Sequence, residues 1–112
     1  MEVATVMNAQ EQQLVQTCKE RLARHYGARL KGLILYGSMA RGTAEPESDI
    51  DLLVLLGEPF DYFVELEVLV DLLYDLQLVS DRYLSVRPAR VQDFETGRIQ
   101  LYRNARKEGV PV

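Results

Sequence analysis

The chain has 112 residues, of which 47% are hydrophobic and 27% charged, and its formal net charge is −4. This size predicts one domain, residues 1–112, with a modest core. The acidic balance argues against a broad nucleic-acid surface, and no apolar run reaches the length of a membrane span. Because the polar start also has no signal-peptide core, we expect a cytoplasmic protein. The single cysteine, Cys18, excludes an internal disulfide, and its helical spacing from Leu14 and Leu22 predicts a core position.

The predicted elements alternate between helix and strand. Apolar periodicity of 3.6 residues predicts helices over 8–26, 61–79 and about 98–108. Short runs rich in Leu, Ile and Val predict strands over 30–37, 50–56 and about 83–88. This order indicates an α/β or α+β fold in which a small mixed sheet packs against helices.

Two carboxylates open the second predicted strand. Gly37 and Ser38 end the first strand, and ten residues later Asp49, Ile50 and Asp51 begin the next. Side chains alternate along a strand, so Asp49 and Asp51 face the same way and repel each other unless a cation compensates. Mg²⁺ prefers hard oxygen ligands and commonly takes one or two carboxylates. We therefore predict that these two aspartates are the metal ligands and the catalytic residues.

The turn at Gly37 and Ser38 suits a phosphate group. Glycine lets the backbone approach a ligand closely, and a short helix over 38–42 would present its N-terminus to an anion. Arg41 adds a forked cation that matches phosphate geometry. Taken alone, an Asp-X-Asp can cap a strand and a Gly-Ser can be only a turn. Their combination at matching strand ends favours phosphoryl-type transfer, which depends on positioning and charge stabilisation.

The pattern Gly-Ser-X-Ala-Arg-Gly followed by Ser-Asp-Ile-Asp-Leu resembles the minimal nucleotidyltransferases, which belong to the superfamily of DNA polymerase β. The resemblance covers essentially the whole chain and implies the nucleotidyltransferase fold. It also implies transfer of a nucleoside monophosphate from an NTP to an acceptor hydroxyl, with Mg²⁺ required and ATP as the expected donor. Asp49 and Asp51 match the first two metal-binding carboxylates of the superfamily.

The same resemblance assigns a nucleotide site and a partner. Gly37 and Ser38 match the positions that hold the triphosphate, and Arg41 and Ser48 of the same motif are assigned to the nucleotide with them. Minimal members are often encoded beside a HEPN-domain toxin and act as its antitoxin, so a HEPN-type protein is the implied partner and acceptor. A non-catalytic nucleotide-binding antitoxin or regulatory module is the alternative, and a homo-oligomer also stays open.

One family feature is missing from the sequence. The superfamily usually carries a third carboxylate on a later strand, where it binds metal and helps to deprotonate the acceptor. Here the third strand presents Ser85 and Arg87 on the matching face, and Asp81 and Asp93 only flank it. Two interpretations follow: specialised transfer with two carboxylates, or nucleotide binding without turnover.

The long helix carries a second pattern. Its expected buried face consists of Leu66, Leu69, Val70, Leu73 and Leu76. An acidic stripe recurs every four residues at Glu67, Asp71 and Asp75, and the other side of the polar arc holds Asp61 and Glu65. Between the two acidic groups lies an apolar row of Val64, Val68 and Leu72. Either another element covers this row, or the row is simply exposed as apolar surface often is, or it is a surface for a partner or for self-association.

Overall fold

A computed structural model describes residues 7–112, which form a mixed four-stranded sheet with helices on both faces. The helices are α1 (Ala9–Tyr26), α2 (Ser38–Arg41), α3 (Tyr62–Val79), α4 (Val91–Thr96) and α5 (Gln100–Glu108). The strands are β1 (Leu30–Tyr36), β2 (Ile50–Leu56), β3 (Leu84–Arg90) and β4 (Val110–Pro111). Their order is β3-β2-β1-β4, with β1 antiparallel to β2 and β4, and β2 parallel to β3. The predicted fold class is confirmed.

Alternation along the strands divides the core into two layers. Ile50, Leu52 and Val54 of β2 pack into the larger layer under α1 and α3, whereas Leu53 and Leu55 pack into a smaller one under α4 and α5. Cys18 lies in the larger layer with no exposed surface, as predicted, and burial raises the pKa of its thiol to about 11. The sheet is therefore the common wall of two cores.

The ends of the first helix follow from local chemistry. The Asn8 side chain accepts from the Glu11 N–H, and the Glu11 carboxylate accepts from the Asn8 N–H, so the two residues form a capping box. The helix ends at Gly27, which has a positive φ. The predicted helix over 8–26 is thus confirmed.

The chain after the third strand differs from the prediction. β3 continues to Arg90 and leads directly into α4, which was not predicted, and the last helix begins at Gln100. The two-residue strand β4 was also missed; it pairs with β1 through Ile34 and Leu35. Six- and two-residue elements are too short to show periodicity, and their neighbours in the fold determine them.

The orientation of α3 corrects part of the predicted pattern. The buried residues Leu69, Leu73 and Leu76 lie as expected. Val70 was predicted on the buried face but is 57% exposed, and Glu65 was predicted on the polar arc but is 7% exposed. Among residues 7–112, no helix is both long and apolar enough to cross a membrane.

Contacts with α1 explain why α3 presents a different face to the core from the one predicted. The Arg21 guanidinium forms a bidentate pair with Asp75, at 2.5 and 2.8 Å, and donates to the Leu72 carbonyl at 3.1 Å. Val68 and Leu72 consequently pack against the core, while Val64 remains 55% exposed. For most of the apolar row, coverage by another element of the domain is the correct alternative.

Glu65 joins the end of α1 to the start of α3. The Tyr26 hydroxyl donates to Glu65 Oε1 at 2.9 Å, and Arg29 Nη2 donates to Oε2 at 2.9 Å. Arg29 also donates to the Pro59 carbonyl and lies over the Tyr26 ring. A buried carboxylate is tolerated here because both of its oxygens accept hydrogen bonds.

We expect Glu65→Ala to lower the free energy of unfolding by about 2 kcal/mol, because it leaves the Tyr26 hydroxyl without its acceptor and Arg29 with only the Pro59 carbonyl. The matched control is Glu67→Ala on the exposed side of the same helix, with an expected change within about 0.5 kcal/mol. Urea unfolding measures both. Equal losses for the two variants would show that the Glu65 contacts add nothing to stability.

Candidate active site

The candidate site lies where three strand ends meet. β1 ends beside the start of β2, with Tyr36 opposite Asp51. β3 starts on the other side, with Ser85 opposite Asp51 and Leu84 opposite Ile50. The acid pair therefore lies between the turn after β1 and the first residues of β3.

Gly37 brings the turn directly against Asp51. Its backbone has φ 76° and ψ −157°, a conformation available essentially to glycine alone. A Cβ at this position would overlap Asp51 Oδ2 and lie 3.1 Å from Cγ. Glycine is required here both for the backbone conformation and for the approach of the carboxylate.

The short helix predicted over 38–42 is present as α2. The N–H groups of Ala40 and Arg41 each donate to the Gly37 carbonyl at 3.1 Å, and fully buried Met39 anchors the helix in the larger core. The N–H groups of Ser38 and Met39 have no partner inside the helix. Backbone donors next to the Ser38 hydroxyl match the chemistry of phosphate binding.

Arg41 and Ser48 lie at the rim of the site. Arg41 Nη1 is 3.3 Å from Glu108 Oε1, and its charge acts on Asp51. The Ser48 hydroxyl accepts from the Glu45 N–H at 2.8 Å and so closes the loop before Asp49. The nucleotide-binding roles of both residues stay predictions, and Ser48 also has a structural role in its loop.

The two aspartates differ in their surroundings. Asp49 is exposed at the mouth of the site, whereas Asp51 is half-buried. Burial, followed by repulsion from Asp49, raises the pKa of the Asp51 carboxyl, while Arg87, Ser85 and Arg41 act in the opposite direction. A divalent cation would relieve this repulsion, so the pair fits Mg²⁺ as a donor set.

The position of the expected third carboxylate is occupied by other residues. Ser85 lies opposite Asp51 in the parallel ladder, and Arg87 follows two residues later on the same face. Asp93 pairs instead with Arg90 and Arg98 at 3.3 and 3.5 Å. Within residues 7–112, no group of three or more His, Cys, Asp or Glu side chains is placed to hold a metal ion. The donor set is therefore two carboxylates, and water and phosphate oxygens would complete a Mg²⁺ shell.

Arg82 is a residue of the site region that the sequence did not reveal. Its Nη1 donates to the carbonyls of Glu45 and Ser48 at 2.8 and 2.9 Å, and its Nε donates to Glu11 Oε2 at 2.8 Å. The side chains of Arg82 and Glu11 are only 16% and 15% exposed. The Arg82 guanidinium thus links the loop that leads into Asp49 to Glu11, a member of the capping box of α1. An arginine in the loop before a strand belongs to no periodic pattern or motif, so the role of Arg82 could not be predicted from the sequence.

Tyr36 is a second residue that was missed. It lies across the strand pair from Asp51, and burial followed by the charge of Asp51 raises the pKa of its phenol. Counting by two from Ile34 along β1 would have placed it on the face of the acid pair. Its ring therefore forms part of the wall around the carboxylates.

We expect Gly37→Ala to abolish binding of ATP with Mg²⁺, the ligands that the motif predicts, because the new methyl group displaces the Asp51 carboxylate. The matched control is Gly27→Ala, where φ is also positive but no atom lies within 4 Å of the added Cβ. Both variants should lose about 1 to 3 kcal/mol of stability from backbone strain, and only Gly37→Ala should lose binding. Isothermal titration calorimetry measures the affinity, and unchanged binding by Gly37→Ala would contradict this assignment.

We expect Arg82→Met to release the loop over 42–49, because the carbonyls of Glu45 and Ser48 lose their donor. Hydrogen exchange followed by mass spectrometry should show faster exchange in that loop, with Arg82→Lys intermediate. Arg98→Met, at a residue whose side chain is 67% exposed, serves as the control. Unchanged exchange in Arg82→Met would mean that the loop is held by other contacts.

Comparisons with known proteins bear on the family and the fold of this chain. A family model described as the nucleotidyltransferase domain matches residues 15–106. A 56-residue stretch, 50% of this chain, is 39% identical to a candidate protein adenylyltransferase of Methanocaldococcus jannaschii and spans 56% of that relative.

Two solved structures share the fold. A candidate nucleotidyltransferase from Sulfolobus solfataricus superposes with a TM-score of 0.55 and 20% identity, over 88% of this chain and 76% of that one. A candidate minimal nucleotidyltransferase superposes with a TM-score of 0.56 and 24% identity, over 100% and 97% of the two chains. With the family model covering most of the sequence, this chain belongs to the nucleotidyltransferase domain family.

Proposed function

We propose that this protein is a Mg²⁺-dependent minimal nucleotidyltransferase that transfers AMP from ATP to a hydroxyl group of a HEPN-type toxin and thereby acts as its antitoxin. The contact between the Gly37 turn and Asp51 carries the proposal, because it brings a phosphate-binding turn and a metal-binding pair within one site. Neither half alone would favour nucleotidyl transfer over simple anion or cation binding.

Each residue has a defined task in this reaction. Gly37, Ser38 and the start of α2 hold the triphosphate, and Arg41 adds positive charge beside it. Asp49 and Asp51 hold Mg²⁺, which neutralises phosphate charge when bound. These residues orient the α-phosphorus for in-line attack.

The reaction breaks a phosphoanhydride link of the nucleotide and forms a phosphoester link to the acceptor. The acceptor hydroxyl oxygen bonds to the α-phosphorus, and the bond from that phosphorus to the bridging oxygen of pyrophosphate breaks. Pyrophosphate leaves, and the hydroxyl proton passes to water, since Ser85 and Arg87 replace the carboxylate that would otherwise accept it. A protein as acceptor is supported by the relative described as a candidate protein adenylyltransferase.

The test is label transfer from α-labelled ATP with Mg²⁺ and the HEPN-domain protein encoded by the neighbouring gene. We expect Asp49→Asn and Asp51→Asn each to reduce transfer by at least about 100-fold, because both remove charge that holds the metal. Glu20→Gln, at an exposed position of α1, is the charge-matched control and should retain activity. Full activity in Asp49→Asn would contradict the proposal, as would an absence of label transfer by the wild-type protein.

A second candidate function is a non-catalytic nucleotide-binding antitoxin or regulatory module. The presence of Ser85 and Arg87 at the third-acid position favours it. Calorimetry with ATP and Mg²⁺, run beside the transfer assay, separates the two functions. Binding without turnover, with the partner present, would select the binding module.

A further inference from the structure

A groove of about 810 Å³ runs between α3 and the edge strand β3. Its walls carry large apolar and aromatic side chains, of which Phe63, Val70, Tyr74 and Tyr83 are each more than half exposed. Single exposed apolar residues are ordinary, but four along one groove form a patch of the kind that marks a binding surface. The orientation of α3 leaves Val70 exposed and so contributes to this patch.

The groove reaches Asp49, the exposed member of the acid pair. Asp49, Ser85 and Arg87 line it together with the apolar residues. Across the sheet, the Gly37 turn lies on the β1 side of the acids and the groove lies on the β3 side. The two binding regions therefore flank the carboxylates from opposite directions.

The geometry of in-line transfer determines on which side of the acid pair the triphosphate lies and from which side the acceptor approaches. The attacking oxygen and the leaving oxygen lie roughly opposite each other across the phosphorus. If the triphosphate rests on Gly37 and Ser38, pyrophosphate leaves towards β1, and the acceptor must approach from β3. A nucleotide with its phosphates on the turn leaves the groove free for the acceptor.

The rim of the groove indicates the chemistry of the acceptor. Glu67 and Asp71 are exposed, and helix spacing makes them neighbours of Val70 and Tyr74 on α3. An apolar groove with acidic side chains beside it complements a polypeptide segment that combines apolar side chains with basic ones. Such a segment would place its own hydroxyl side chain next to Asp49.

We propose that this groove is the docking surface for the acceptor polypeptide and that it determines acceptor choice. The occupant is an apolar segment of the partner protein that bears Lys or Arg against Glu67 and Asp71 and carries the hydroxyl to be modified. This inference rests on the proposed function, because in-line transfer fixes the side from which the acceptor approaches.

The experiment uses two valines of the same helix. Val70 lies in the groove and is 57% exposed, whereas Val64 lies outside it and is 55% exposed. Binding of the HEPN-domain protein is measured by calorimetry without nucleotide, and label transfer and ATP–Mg²⁺ affinity are measured separately. We expect Val70→Lys to weaken partner binding and transfer by about 10-fold or more, with Val64→Lys within about twofold of wild type.

A second experiment tests the acidic residues Glu67 and Asp71 beside the groove. The double variant Glu67→Lys and Asp71→Lys should slow association with the HEPN-domain protein and weaken its dependence on salt. Affinity for ATP–Mg²⁺ should stay at the wild-type value in all of these variants. Thermal unfolding establishes that each variant is folded.

Several results would overturn the proposal. Equal partner binding by Val70→Lys and Val64→Lys would place docking elsewhere, as would an absence of partner binding by the wild-type protein. Loss of ATP–Mg²⁺ affinity in Val70→Lys would assign the groove to the nucleotide, and conversion of a dimer to a monomer would assign it to a second copy. If the wild-type protein binds the partner in a Val70-dependent way but transfers no label, the docking surface stands and the proposed function fails.

Discussion

The register between β1 and β2 is the constraint on which the site depends. Ile50 and Leu52 are fully buried in the larger core, so Asp51 must face the other side, opposite Tyr36 and against the Gly37 turn. A slip of one residue would bury the carboxylate and expose both apolar side chains. The hydrophobic core thus fixes the position of the acid that the proposed chemistry requires.

The loop before Asp49 needs a different support. The turn through Glu45 and Ser48 contributes no fully buried side chain, so packing alone does not hold it. Arg82 supplies the missing restraint through three loop carbonyls, those of Glu45, Pro46 and Ser48, and Glu11 pairs with Arg82 while also capping α1. The start of the first helix and the mouth of the site are therefore parts of one hydrogen-bonded network, although they are far apart in sequence.

The features that the sequence predicted are those set by neighbouring residues. The apolar runs, the alternation that pairs Asp49 with Asp51, and the glycine turn all depend on local periodicity, and the first three strands and α2 form close to where it placed them. Periodicity along α3 identified an apolar helix but not the face that α1 covers, so Glu65 and Val70 were exchanged between core and surface. Arg82 acts through main-chain carbonyls, which every residue has, so its partners cannot be recognised from their side chains.

The two sides of the acid pair have opposite chemical character, and this asymmetry bears on how the site is filled. On the β1 side, Ser38 and the backbone of α2 offer donors that suit phosphate. On the β3 side, Ser85 and Arg87 stand where a further acid would add a metal ligand, and apolar side chains follow. Two carboxylates supply only part of an octahedral Mg²⁺ shell. In the proposed reaction, phosphate oxygens of the nucleotide and waters supply the rest, so the bound nucleotide adds ligands that strengthen metal binding.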